Sequence, residues 1–571
     1  IRREQDGAML RLKDIARIDL GSASYSVVSR LNGKPTAAIA IYQQPGSNSL
    51  DVSKGVKAKM EELAESFPSG VAYNVTLDTT DVIHASIDEV MVTFFETTLL
   101  VILVIFLFLQ NWRAVIIPCI TIPVSLIGTF AVMAAFGFSI NTLTLFGLIL
   151  AVAIVVDDAI VVVENASRLL ETGQYSPREA VTKAMGEITG PIVGVVLVLL
   201  AVFIPTMMIS GISGQLYKQF ALTIAASTVL SGFNSLTLTP ALCALFLEKS
   251  KPSNFFIYKG FNKAYDKTQG VYDKIVKWLL LASYGALTVI ALLLFMHWPS
   301  TFIPDEDDGY FIAVVQLPPA ASLERTQAVG EKINGILDSY PEVKNYIGIS
   351  GFSIMGGGEQ SNSATYFVVL KNWDERKGKE HTAAAVVNRF NGEAYMTIQA
   401  AEVFAMVPPA IPGLGASGGL QLQLEDRRNL GPTEMQQAIN ALLASYHSKP
   451  ALASVSSQYQ ANVPQYFLNI DRDKVQFMGI ALNDVFSTLG YYMGAAYVND
   501  FVEFGRIYQV KIEARDQAQR VIDDVLKLSV PNSAGEMVPF SSFTKVEEQL
   551  GQDQINRYNM YSTASLTCNV A

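Results

Sequence analysis

The stretch Leu145–Asn165, LFGLILAVAIVVDDAIVVVEN, places two adjacent carboxylates, Asp157 and Asp158, inside an apolar run long enough to cross a bilayer. An ionised acid near a bilayer centre costs roughly 2.5–3.5 kcal/mol on insertion scales, so such groups face a bundle interior and mark ion or proton pathways. Two of them side by side repel when both are charged, which favours keeping a proton on one. That is the chemistry of a proton carrier. Helix neighbours lie about 100° apart, so the two acids can address different partners across a helix interface. No basic partner lies inside the apolar segments, where Lys218 stands at a helix end and every other Lys or Arg is in a loop. A purely architectural pair is the competing reading. Glu164 and Asn165, near the end of the run, read as interfacial.

The chain of 571 residues is 50% hydrophobic and 16% charged, with a mean hydropathy of +0.29. That balance is outside the range of one soluble domain and fits a membrane protein with large soluble parts. A net charge of -10 argues against nucleic acid, which calls for a basic surface. Cys119, Cys243 and Cys568 are too scattered for a disulfide framework or a zinc site and read as packing residues. The four histidines are isolated, no nucleophile–base or metal constellation occurs, and no ATP signature is present. The reading is of no enzyme and no cofactor; any pumping draws on an ion gradient. The chain starts at Ile1 without an initiator Met or a signal peptide, and it reads as part of a longer protein.

Residues 1–86 read as α/β: strands at Ile15–Leu20, Thr36–Tyr42 and Val71–Leu77 and a helix over Leu50–Ser66 predict a βαβ-type unit. Six apolar segments follow, at about 88–110, 114–135, 140–163, 188–210, 219–247 and 278–298. The fold class is therefore a polytopic α-helical membrane protein with α+β outer domains. Arg113, Arg168, Arg178, Lys183 and the lysines between 249 and 277 fall on one side, which the positive-inside rule makes cytoplasmic. Within the 252–277 loop, Phe255, Phe256, Tyr258, Phe261 and Tyr265 interleave with lysine, which suits either a helix lying along the inner surface and touching lipid or an ordinary connection. After Pro304 the order strand (310–317), helix (322–339), strand (343–350), strand (365–371), helix (382–395), strand (402–407) is the β-α-β-β-α-β order of a ferredoxin-like unit. A second, interrupted unit begins at Gly419–Glu425, and Tyr497–Phe501 with Arg506–Ile512 predicts a hairpin.

Ile347, Ile349, Phe352, Ile354, Met355, the run Gly356-Gly357-Gly358 and Phe367 combine apolar strand ends with a glycine loop. They suit either an adaptable apolar pocket or core packing, and Phe404 and Met406 are ambiguous in the same way.

The runs GFSINTLTLFGLILAVAIVVDDAIVVVEN (137–165), AVFIPTMMISGISGQLYKQFA (201–221), SLTLTPALCAL (235–245) and FIPDEDDGY (302–310) closely resemble the hydrophobe/amphiphile efflux branch of the resistance–nodulation–division transporters. The resemblance covers essentially the whole chain. It implies a homotrimeric drug/proton antiporter of the Gram-negative inner membrane, working with a periplasmic adaptor and an outer-membrane channel. It implies twelve helices per protomer, of which this chain resembles helices two to seven. On that plan, 1–86 ends the first periplasmic loop, and 87–299 holds the helices with a cytoplasmic loop at 248–277. Residues 300–415 are a porter subdomain, 416–460 and 554–571 a second one, and 461–553 a docking domain. Asp157 and Asp158 match the proton-translocating pair, whose basic partners the family carries in its other half. Val27, Leu77, Ile347, Ile349, Phe352, Ile354 and Phe367 match the deep drug pocket. Gly351, Met355, Gly356, Gly357 and Gly358 match its switch loop, and Phe404 and Met406 the proximal side. Tyr497, Val498, Asn499, Asp500 and Phe501 match the docking hairpin. Two rivals are a heavy-metal exporter of the same superfamily, which calls for a periplasmic Met cluster, and a SecDF-like translocation accessory or sterol-sensing receptor, which would lack paired porter units.

Overall fold

The computed structural model of the chain describes residues 2–3, 9–22, 24–44, 46–138, 142–249, 265, 268–272, 275–276, 284–297, 306–409, 420–446, 452–514 and 521–570. They fall into two units, one of Asn48–Lys59 with Asp78–Phe302, the other of Ile1–Ser47, Met60–Leu77 and Ile303–Ala571. The aromatic loop residues Phe255, Phe256, Tyr258 and Phe261, and the start of the FIPDEDDGY run, lie outside the described residues.

The first unit is helical. Helix α1 (Ser49–Ala64), whose residues from Met60 on belong to the second unit, is followed by α2 (Thr80–Leu109), α3 (Trp112–Ala135), α4 (Thr142–Glu171), α5 (Pro177–Thr206), α6 (Gly211–Leu236), α7 (Leu238–Phe246) and α8 (Tyr284–His297). Five stretches among the described residues are long and apolar enough to cross a membrane, the last of them Tyr217–Phe246, which runs through α6 and α7. The sixth apolar segment appears as α8, with 278–283 and 298 outside the described residues.

Two boundaries differ from the hydropathy pattern. Helix α5 begins at Pro177 because Ser176 and Glu179 form a capping box there, so a charged turn precedes the apolar part. The 219–247 segment is two helices, broken at Thr237. Pro240 has no N–H to give, and its ring collides with the carbonyl four residues back, at Leu236. Close packing of α4 on α6 depends on Gly147, where an added Cβ would lie 3.3 Å from the Phe220 carbonyl oxygen and 3.3 Å from the Thr223 Cβ.

In the second unit, β1 (Val28–Leu31) and β2 (Lys34–Thr36) form a hairpin. It joins β3 (Tyr310–Gln316), β4 (Val343–Ser353), β5 (Gly358–Leu370) and β6 (Glu402–Met406) in one antiparallel sheet of order β2-β1-β4-β5-β3-β6. Helices α9 (Leu323–Asp338) and α10 (Ala383–Thr397) cover one face, burying Phe311, Ile333, Leu337 and Phe390. Strands β3 to β6 with these helices have the ferredoxin-like order read from the sequence.

The βαβ unit expected within 1–86 is not formed. Residues 15–20 make no strand and leave Ile18 and Leu20 exposed, and 71–77 make none either; near 36–42 the strand ends at Thr36. Alternation gives a strand only where a neighbouring edge takes its backbone groups, and the edge here, β4, is taken by β1.

The rest of the unit holds, in chain order, β7 (Leu420–Asp426), α11 (Pro432–Ser445), β8 (Leu452–Ser457), β9 (Val463–Ile470), α12 (Leu482–Met493), β10 (Ala495–Glu503), β11 (Arg506–Glu513), β12 (Thr544–Gly551), β13 (Arg557–Tyr558) and β14 (Tyr561–Val570). Strand β14 pairs with β7, β8 and β13, over Met435 and Ile439 of α11. Between them in sequence, β9 pairs with β12 beside a small core of Val475, Val485, Val525 and Phe540. Strands β10 and β11 pair as the expected hairpin, turning through Phe504 and Gly505, both at positive φ.

Candidate functional site

Asp157 and Asp158 part company on α4. Asp158 is 7% exposed, and its Oδ2 accepts a 2.7 Å hydrogen bond from Ser231 Oγ of α6. Asp157, one position earlier, faces outward. Among the described residues no Lys or Arg pairs with either acid. A hydroxyl donor to a carboxylate is a charge-assisted bond, roughly twice as strong as a neutral one. The Ser231 hydroxyl also lies 3.4 Å from the Val155 carbonyl, so its single hydrogen has two acceptors on α4. A proton added to Asp158 gives the acid a donor of its own beside its remaining acceptor capacity and removes the charge assistance from the Ser231 bond.

Sequence reasoning missed Ser231 and the polar seam it belongs to. Thr129 Oγ1 and Ser227 Oγ are 2.7 Å apart, and Asn234 Nδ2 donates to Ser125 Oγ at 2.7 Å, both between α3 and α6. The available signal was the spacing: Thr121, Ser125 and Thr129 on one apolar helix, Ser227 and Ser231 on another, four residues apart and therefore on one face. Asn165 is tied to Arg168 and Glu187 where α4 leaves its apolar stretch, consistent with an interfacial position. Glu164 is exposed.

The apolar candidates on the β3–β6 sheet share one face. Register places Leu31, Ile347, Phe367, Ile312 and Met406 in one cross-strand row, and Ser29, Ile349, Thr365, Val314 and Phe404 in the next. The alternate residues Tyr346, Tyr366, Ala313 and Ala405 point at the helices. Ile347, Ile349, Phe367, Phe404 and Met406 are thus half-buried on the face the helices leave open. Val27 is half-buried just before β1, and Leu77 half-buried just before Asp78.

The switch-loop candidates form the β4–β5 hairpin end. A register shift falls between Ser350 and Phe352, at Gly351, whose φ is +90°. A Cβ there would overlap the Ser26 carbonyl oxygen, so only glycine fits. Ile354 N donates to Thr365 Oγ1, Gly356 N to Ser353 Oγ and Gly357 N to the Ser353 carbonyl. Met355 and Gly356 face a cleft between this sheet and the β14 sheet. Tyr497, Val498 and Phe501 of β10 are exposed, as are Asn499 and Asp500. Among the described residues, no group of three His, Cys, Asp or Glu side chains is placed to hold a metal.

All 571 residues, 1–571, match the AcrB/AcrD/AcrF family. The chain belongs to that family. It is 40% identical over 574 residues to the multidrug export protein AcrF of Escherichia coli K12, covering 98% of this chain and 55% of that protein. It is 39% identical over 568 residues to the toluene efflux pump membrane transporter TtgB of Pseudomonas putida, covering 97% and 54%. It is 38% identical over 570 residues to the multidrug resistance protein MdtF of E. coli K12, again covering 97% and 54%. The chain spans about half the length of these curated relatives.

Proposed function

We propose that the whole protein is a proton-driven exporter of hydrophobic and amphiphilic compounds. The observation that carries this reading is Asp158, a carboxylate buried in an apolar bundle with a hydroxyl as its hydrogen-bond donor. Relatives named for multidrug and toluene export support the substrate class. Proton uptake by the Asp157/Asp158 pair neutralises buried charge, and the conformer that binds the proton better is favoured. That change couples to opening and closing of clefts between the outer subdomains. Substrate enters from the periplasm or the outer leaflet. It passes the edge of the β3–β6 sheet at Phe404 and Met406, and then the apolar face carrying Ile347, Ile349 and Phe367 with Val27, Leu77, Phe352 and Ile354. The hairpin end at 351–358 moves between the two.

On this reading the protein resides in a Gram-negative inner membrane as a trimer of twelve-helix protomers, lysine-rich loops inside. Residues 461–553, with the exposed Tyr497–Phe501 edge, dock on an adaptor and an outer-membrane channel. The test is accumulation of a fluorescent amphiphile in efflux-deficient cells carrying the full-length protein, with and without a protonophore. Wild type lowers accumulation, and Asp158→Asn or the protonophore abolishes this at unchanged protein level. Continued export by Asp158→Asn would remove the pair as the coupling site.

A further inference from the structure

Ser231 reaches Asp158 from the middle of a run of polar contacts that tie α6 to a different helix. One turn before it, Ser227 Oγ lies 2.7 Å from Thr129 Oγ1 of α3, and one turn after it Asn234 Nδ2 donates to Ser125 Oγ of α3 at 2.7 Å. Thr129 Oγ1 gives its own hydrogen to the Ser125 carbonyl at 2.8 Å, so the hydrogen between Ser227 and Thr129 comes from Ser227. Helix α6 thus directs two donors at α3 and, between them, one at α4. All five of these α3 and α6 side chains are buried. Between the two rungs Gly128 of α3 meets Leu230 of α6 so closely that an added Cβ would lie 3.0 Å from Leu230 Cδ1. Helix α6 breaks at Thr237, just beyond Asn234, so the Asn234 contact holds its last turn.

We infer that the Ser227–Thr129 and Asn234–Ser125 rungs are positioning contacts for the proton site: they fix α6 against α3 so that the Ser231 hydroxyl stays on Asp158. The inference rests on the export reading above, in which Asp158 carries the proton, and adds Ser125, Thr129, Ser227 and Asn234 to the residues on which that step depends. Helices in a bilayer are held together by close packing and interhelical hydrogen bonds rather than by the burial of apolar surface. The rungs stand about 6 Å before and about 4.5 Å after Ser231 along the axis, so they govern its rotation and depth. A turn of α6 by roughly 15° displaces a side chain at its surface by about 1 Å, enough to carry a 2.7 Å contact outside hydrogen-bond range. The Val155 carbonyl, 3.4 Å from Ser231 Oγ, is a second acceptor on α4, so a small shift of α6 decides which of the two the hydroxyl serves. Besides Asp157 on the same helix, charge close by does not take over this task among the described residues. Lys218 is exposed near the other end of α6, Arg113 pairs with Glu248, Glu187 of α5 pairs with Arg168, and Glu96 of α2 is exposed.

The test is infrared difference spectroscopy, acid against alkaline, on the full-length protein in lipid nanodiscs. Asp158→Asn identifies the C=O stretch of the protonated Asp158, and Ser231→Ala shows how far that band rises when the carboxyl loses its hydroxyl donor. Asn234→Leu with Ser125→Ala, which removes both ends of one rung, and Thr129→Val, which removes an end of the other, each raise the band at least about half as far, although no side chain touching Asp158 has changed. Thr129→Ser, which keeps the hydroxyl, leaves the band in place. Export of a fluorescent amphiphile by the Asn234→Leu, Ser125→Ala protein falls about tenfold in kcat with KM within about twofold, the factor expected when one hydrogen bond to a charged group is lost. A band that stays in place in both rung variants, or that rises equally in Thr129→Ser, would overturn the inference. A band that rises while export is unchanged would uphold the positioning and count against Asp158 as the coupling site. If Asp158→Asn removes no band, Asp158 takes up no proton, and the export reading fails together with the step that the rungs serve.

Discussion

Glu342 offers a sharp test of how the β3–β6 sheet is held. Its side chain is 2% exposed, with Oε1 2.7 Å from His381 Nδ1 and Oε2 2.6 Å from Arg389 Nη2. Burial pushes its pKa up, but the hydrogen bonds from Arg389 and His381 outweigh it and draw the carboxyl down from 4.5 to about 2. A carboxyl depressed on folding contributes stability above its unfolded value, and the contribution fades as pH falls through the folded one. A fall of roughly 2.5 units is worth about 3 kcal/mol at pH 7 and about 1 kcal/mol near pH 2.5. Glu342→Gln removes the charge but keeps an acceptor, so the expected loss at pH 7 is about 2 kcal/mol once an ordinary hydrogen bond is returned. Hydrogen exchange on the full-length protein in detergent, read on peptides from 343–353 and 383–397 and corrected for intrinsic rates, measures it. The gap between wild type and variant should be largest at neutral pH and nearly closed near pH 2.5. An equal gap at both values would mean that shape, not charge, is what Glu342 supplies.

Gly351→Ala should destabilise the β4–β5 hairpin by at least about 2 kcal/mol, because the clash with the Ser26 carbonyl adds to the cost of positive φ. Gly357→Ala, also at positive φ but with open space around it, should cost only about 1 kcal/mol. Limited proteolysis and exchange over 343–370 will rank them, and equal effects would discount the close approach. Asn234→Leu leaves the buried Ser125 hydroxyl without its donor and should lower thermal stability in detergent by about 0.5–1 kcal/mol. Adding Ser125→Ala should restore part of that loss, and a strictly additive double variant would refute the pairing.

Hydropathy located the membrane helices because a bilayer demands long apolar runs, but it could not see where they end. Ser176 and Pro240 decide two of those ends through backbone hydrogen bonding, which a hydropathy window averages away. The ferredoxin-like order was legible from Tyr310 onward because short apolar strand runs, such as the buried β3, are set off there by segments of helix period. The alternating residues 15–20 misled for the opposite reason: a strand needs an edge, and which edge is free is decided by β4, more than 300 positions along. Asp158 stood out as a charge in an apolar run, whereas its donor Ser231, 73 positions away, is one hydroxyl among many in the sequence. The cleft beside Met355 was invisible for a related reason. Gln316, Gln458 and Gln554 belong to three separate segments, and glutamine has no periodic signal.

The energy scales of the two regions can be compared directly. A proton entering down a gradient delivers about 1.4 kcal/mol per pH unit and about 2.3 kcal/mol per 100 mV. The cleft is closed by two uncharged hydrogen bonds, Ser353 to Gln458 and Gln360 to Gln554. Such bonds contribute about 0.5–1.5 kcal/mol each, so opening both costs no more than one proton provides. Had the same positions held a buried ion pair, breaking it would cost about 3–5 kcal/mol, beyond one proton at a modest potential. On the proposed coupling, the uncharged character of these bonds would keep opening of the cleft within reach of one proton.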